Sequence, residues 1–198
     1  GLSISFMNSG VAAADLHDYA KAQDLYEKGL AIQQEIGDQQ VISYSLSNLG
    51  GVCLDLGDYA TARDYLEQAL AMSKNIGDHR GLSIHLDYMG VVLHYLEAYD
   101  EAEKYLREAL SIHQELGDQR AAGICLNELG AVAIDVKNIP QAKAYYEKAQ
   151  AIHQASDQAQ HMTETRSGLA RVAQGQGKFE AMTKYLEETL VYLFENPG

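Results

Sequence analysis

Apolar side chains recur at helical spacing along the whole chain, in blocks that end on Gly-Asp. In residues 46–72, "LSNLGGVCLDLGDYATARDYLEQALAM", Leu46, Leu49, Gly50, Cys53 and Leu56 share one stripe, the pattern of an amphipathic helix. Gly57 stops that helix and Asp58 is placed to cap the next, whose stripe is Ala62, Leu66, Ala69, Leu70 and Met72. The pattern then returns. "IGDQQ" at 36–40 becomes "IGDHR" at 76–80 and "LGDQR" at 116–120, and "YLEQALAM" at 65–72 becomes "YLREALSI" at 105–112 and "YYEKAQAI" at 145–152, every shift being 40 residues. The same register reaches "DLYEKGLAI" at 24–32 and "KYLEETLVY" at 184–192. It predicts an all-α chain organised as a single array over 1–198, with repeats at approximately 1–36, 37–76, 77–116, 117–156 and 157–198. Each repeat is two antiparallel helices, A then B, and the short turns make sequential helices neighbours in a stack.

The adjacent glycines Gly50 and Gly51 separate under this register. A glycine inside a helix costs roughly 0.5–1 kcal/mol relative to alanine, so each requires a reason. Gly50 recurs as Gly10, Gly90 and Gly130, as expected where helix A must come close to helix B. Gly51 does not recur: its counterparts are Val11, Val91, Ala131 and Arg171. It reads as a local gap on the face of helix A turned away from helix B, where a ligand backbone could approach.

These positions resemble the tetratricopeptide repeat. The second repeat supplies Leu46, Leu49-Gly50, Tyr59, Ala62, Leu66 and Ala69, and the third Leu86, Met89-Gly90, Tyr99, Ala102, Leu106 and Ala109. The fourth keeps Leu126, Leu129-Gly130, Ala142, Tyr146 and Ala149 with Ile139 in place of the tyrosine; the first has Phe6, Gly10, Tyr19, Ala22 and Tyr26; the fifth fits least. The 40-residue period resembles the subgroup found in kinesin light chain, in spindle adaptors that bind GoLoco peptides and in bacterial signalling regulators. The resemblance implies a right-handed superhelical solenoid of about five helix-turn-helix repeats, whose concave wall comes mainly from helix A and holds a peptide or helix of a partner.

Carried through the register, that wall draws its candidate peptide-binding residues from helix A of each repeat. They are Asn8; Asn48, Gly51 and Asp55; Asp87, Tyr88, His94 and Tyr95; Asn127, Glu128 and Asp135; and Arg171. Five acids on it, Asp15, Asp55, Asp87, Glu128 and Asp135, face one base, Arg171, so a peptide carrying Lys or Arg would suit it. The alternative, that these acids only follow the overall charge, stands beside it. Tyr88, His94 and Tyr95 are candidate anchors for an apolar side chain, although a tyrosine can equally be packing. The resemblance further implies that Asn8 and Asn48 grip a ligand's backbone, since a carboxamide offers both a donor and an acceptor. Tyr88 and Glu128 interrupt that ladder in the third and fourth repeats.

The charge balance, 15 basic against 28 acidic residues for a net −13, disfavours a nucleic-acid or anionic membrane partner. Cys53 and Cys125 stand singly in apolar runs, which fits small buried residues in a reducing, cytoplasmic compartment. No apolar run approaches the roughly 18–20 residues of a membrane span. The seven histidines form no HExxH and no i, i+4 pair, and His113 and His153, at one helix-B position, read as surface residues. With GxSxG and Walker-type motifs also missing, no catalytic residue, metal or cofactor is expected. Two functions follow. The first is a protein–protein interaction scaffold with an acidic peptide groove, part of a larger intracellular protein. The second is a self-associating regulatory or sensor domain of a bacterial signalling or transcription-regulating protein. It would pair through the hydrophobic last helix, where Val191, Tyr192, Leu193 and Phe194 stand in succession.

Overall fold

The computed structural model describes residues 1–155 and 159–195, and every regular element among them is an α-helix. In chain order these are α1 (Leu2–Asp15), α2 (Tyr19–Ile36), α3 (Gln39–Asp55), α4 (Tyr59–Ile76) and α5 (His79–Tyr95). There follow α6 (Tyr99–Glu115), α7 (Gln119–Asp135), α8 (Ile139–Ala155), α9 (Ala159–Gly175) and α10 (Phe179–Glu195). The expected junction between the fourth and fifth repeats, at 156–157, lies outside the described residues, as do 196–198.

The turns explain why the helices begin and end where they do. Asp18, Asp38, Asp58, Asp78 and Asp118 each accept a hydrogen bond from the backbone N–H three residues on, satisfying a donor the helix itself leaves open. The A-to-B turn needs a left-handed residue at the position of Gly57, and Gly177 shares that conformation. At the same position His17, Glu97 and Lys137 adopt φ of 58°, 60° and 62° despite their side chains.

The chain divides into two compact units, 1–105 and 106 onward, with the division inside α6. In the first unit α1, α2, α3, α4 and α5 pack sequentially, and α3 also touches α5. Its core gathers Ala13, Ala22, Tyr26, Leu49 and Val52, with a second cluster at Ile42, Leu46 and Ala69. In the second unit α7 to α10 pack in the same sequential way, and α7 touches α9. Its core includes Ala133, Ala142, Tyr146, Leu169 and Val172.

The recurring glycine sits where helix A meets helix B. A methyl at Gly50 would stand 2.9 Å from Leu66 Cγ and 3.3 Å from the Ala62 carbonyl, and Gly10 and Gly130 face the rings of Tyr26 and Tyr146. His113 and His153 correct the sequence reading: both are buried. Their register position, which includes Gln33 and Ser73, is polar yet enclosed in the first four repeats. Helix B is covered there by helix A. Gln33 donates to Ser3, and Gly123 leaves the space that the His153 ring fills, 2.5 Å from where a methyl would be.

Candidate functional site

In the first unit, α1, α3 and α5 present the candidate wall. Asn8 is exposed and Asn48 half-buried. Gly51 is no gap: the Tyr88 ring occupies the space, with Cε1 3.3 Å from where a methyl would be. Asp87 and Tyr88 are half-buried, and the Tyr88 hydroxyl is pushed up by burial and by the Asp55 and Asp87 charges. Tyr26 reports the same field from the core side. Burial first, then Tyr88 and Asp15, push its hydroxyl up to about 12. Asp15, Asp55 and Asp87 thus act on one pair of tyrosines, and Arg80 is the only Arg or Lys in the sequence of the three helices.

The C-terminal ends of α3 and α5 enclose a cavity of about 480 Å³ lined by Leu54, Asp55, Leu56, Gly57, Tyr59, Val91 and Tyr95. Tyr95 stacks on Tyr59, with ring centroids 5.1 Å apart and planes within 10°. Tyr95 remains 58% exposed, so part of its ring is open to solvent. His94 also lies beside Tyr95 and Tyr99, with ring centroids 6.0 and 5.8 Å away. Asp55 is open to solvent at the rim, while the protein around it pushes its carboxyl upward, opposed by His17. Sequence reasoning placed Asp55 and Tyr95 on this wall but missed Tyr59. The signal was available, since Tyr59 is the first residue after the αL turn and must lie over the end of helix A.

In the second unit the expectation changes more. Asn127 is 1% exposed and cannot meet a ligand. It ties α7 to α9, accepting from Thr165 Oγ1 at 2.9 Å and donating to Glu164 Oε2 at 3.3 Å. The reason is the direct α7–α9 packing, which covers the flank of helix A that single-helix periodicity leaves open. Glu128 is half-buried. Arg171 donates from Nη2 to Asp135 Oδ1 at 2.7 Å, so the one base on the wall is already engaged with one of its acids. Among the described residues no group of three or more His, Cys, Asp and Glu side chains is arranged to hold a metal ion. No helix among them is long and apolar enough to cross a membrane.

Helices paired in 40-residue hairpins, five of them capped by an aspartate and with a glycine at the A–B contact of the first, second and fourth hairpins, define an α-helical repeat protein. The tetratricopeptide repeat model matches residues 2–75, 41–115 and 81–155, and the chain belongs to the tetratricopeptide repeat family. A sequence comparison with the curated proteins found no match. Among solved structures, the chain is similar to BtubC (BKLC) from P. vanneervenii, with a TM-score of 0.80 and 22% identity over 96% of this chain and 78% of that one. It is also similar to the putative kinesin light chain repeats of Podosopora anserina, with a TM-score of 0.75 and 16% identity over 100% and 99% of the two chains. A third is a Rap protein complexed with competence and sporulation factor, with a TM-score of 0.87 and 15% identity; the match covers 96% of this chain and 53% of that one. At these identities the likeness is one of fold.

Proposed function

We propose that this chain is a protein–protein interaction scaffold that holds a peptide or helix of a partner on the helix-A wall of its first unit. Basic residues of the partner face Asp15, Asp55 and Asp87. The observation that carries this reading is the concentration of those carboxylates around the Tyr26 and Tyr88 pair, on helices whose sequence contains no lysine and only Arg80. Asn8 and Asn48 offer amide donors and acceptors to a ligand backbone, and His94 and Tyr95 border the wall at its far end. The Rap neighbour, a protein about twice this length, was crystallised with competence and sporulation factor, and that use of a similar fold supports the reading. The test is a random-peptide display selection on the whole chain, with hits re-measured on Asp55→Lys and Asp87→Lys. Basic peptides weakened about tenfold or more by either reversal are expected. Acidic hits, or binding indifferent to both reversals, would sink the acidic wall.

A second reading, self-association as a regulatory or sensor domain, is favoured by α10. Phe179, Leu186, Leu190, Leu193 and Phe194 are exposed along one side of it. Leu186 is 42% exposed, whereas Leu66 and Leu106 at the same register position are fully buried. Light scattering across a hundredfold concentration range tests it: a constant monomer mass ends the reading.

A further inference from the structure

The two units carry the same register position in two different states. Asp135 and Asp55 are equivalent, as are Arg171 and Val91, Ile139 and Tyr59, and Gly175 and Tyr95. In the second unit, the aspartate at the end of helix A receives the guanidinium of the next helix A at 2.7 Å, and Ile139 packs into the space over Gly175. In the first unit, Val91 is too short to reach its aspartate. The place of the guanidinium is the open cavity of about 480 Å³, and Asp55 makes no hydrogen bond or ion pair among the described residues. The wall opposite is changed in the same sense, since the stacked pair Tyr59 and Tyr95 replaces Ile139 and Gly175.

We propose that the cavity between the ends of α3 and α5 is a subsite for a partner's arginine side chain, which takes in the first unit the place that Arg171 fills in the second. Asp55 receives the guanidinium as Asp135 receives that of Arg171. Leu54, Leu56 and Val91 cover the methylene stem, and the exposed part of the Tyr95 ring borders the planar cation. Arginine is selected over lysine because its guanidinium is flat, spreads its charge and presents a fork of donors, whereas an ammonium is a strongly hydrated point. An acidic or aliphatic side chain is disfavoured, the first by Asp55 and the second because it would desolvate that carboxylate without pairing it.

The subsite refines the peptide-scaffold reading and rests on it for its biological meaning, so its test uses no peptide. The probe is N-acetyl-arginine amide, added to the isotope-labelled whole chain, with N-acetyl-citrulline amide as the isosteric neutral control. Saturable shifts of the Asp55, Tyr59, Val91 and Tyr95 resonances are expected, with a dissociation constant in the millimolar range fitting a single side chain. The citrulline compound is expected to bind at least about fivefold more weakly, and Asp55→Asn to cost a similar factor. Val91→Arg, which copies Arg171 into the first unit, is expected to fill the cavity and remove the shifts. On the unmodified chain, the Asp55 carboxyl should titrate at lower pH as the arginine compound saturates, a readout that no variant's folding can disturb. Equal shifts from arginine and citrulline compounds, or an Asp55 titration unmoved by saturating arginine, would overturn the subsite. Display-selected peptides that bind without an arginine here would overturn it too while leaving the scaffold reading intact.

Discussion

Lowering the pH is expected to destabilise this protein through one buried side chain, His85. Its ring is fully buried on α5, meets the Tyr44 ring edge to face with centroids 5.5 Å apart, and neither ring nitrogen has a hydrogen-bond partner among the described residues. Burial pushes its pKa down from 6.5 to about 4, against the weaker upward pull of Asp78. A histidine held neutral by the fold lets only the unfolded chain take up a proton between those values. Stability on its account is therefore complete above about pH 6.5 and falls as the pH drops, levelling near 4 where the folded ring also protonates. At about 1.4 kcal/mol per pH unit, the interval amounts to about 3 kcal/mol, a substantial part of a typical domain's stability. The comparison is between the natural chain and His85→Phe, which keeps a ring against Tyr44 and removes the titration. Urea midpoints measured from pH 7.5 to 4.5 should fall more steeply for the natural chain, and the difference cancels contributions shared with other groups. Parallel profiles would refute the reasoning and mean that water or a rearranged partner reaches the His85 ring.

Other outcomes follow from backbone and packing. Lys137→Gly and Glu97→Gly should each raise stability by about 0.5–1 kcal/mol in chemical denaturation. Both residues hold a left-handed φ that glycine adopts without steric cost, and the gain is trimmed by glycine's freedom in the unfolded chain. Gly50→Ala should cost about 1–3 kcal/mol, because its methyl would press on Leu66 Cγ and on a backbone carbonyl in a closed contact. Gly51→Ala should stay within about 1 kcal/mol of the natural chain by thermal unfolding, since its methyl meets only the edge of the half-buried Tyr88 ring and alanine favours the helix.

The repeat period, the helix ends and the A–B glycine were legible because each depends on residues within one hairpin. Gly57, Asp58 and Gly50 act on neighbours a turn or one helix away, so their spacing along the chain carries the information. Gly51 and Asn127 were misplaced for the opposite reason: their surroundings are set by helix A of the next hairpin, through Tyr88 and Thr165, and a residue's own periodicity does not say what that helix brings. His113 and His153 were read as surface because they are polar, and the hollow that Gly123 leaves for the His153 ring inside the same hairpin has no mark in the periodicity of helix B. Gly51 makes room for Tyr88, 37 positions on, and Gly123 for His153, 30 positions on. Register alone put Asp55 and Tyr95 on one wall, and they line one cavity. The ion pair of Arg171 with Asp135 joins two A helices, and no single-helix pattern carries it.

The enclosed polar position on helix B has a consequence for how the chain finds its native pairing. A protein of similar hairpins can dock helix B of one hairpin on helix A of another and gain nearly the same apolar contact, a slip of one whole period. Here the pairs differ in bulk: Gln33 meets Ser3, whereas His153 fills the hollow above Gly123. A slipped chain that put the serine of helix B over the glycine hollow would leave a void with stranded polar atoms. A difference in side-chain size thus gives the hairpin of α7 and α8 an address of its own within a near-repetitive chain.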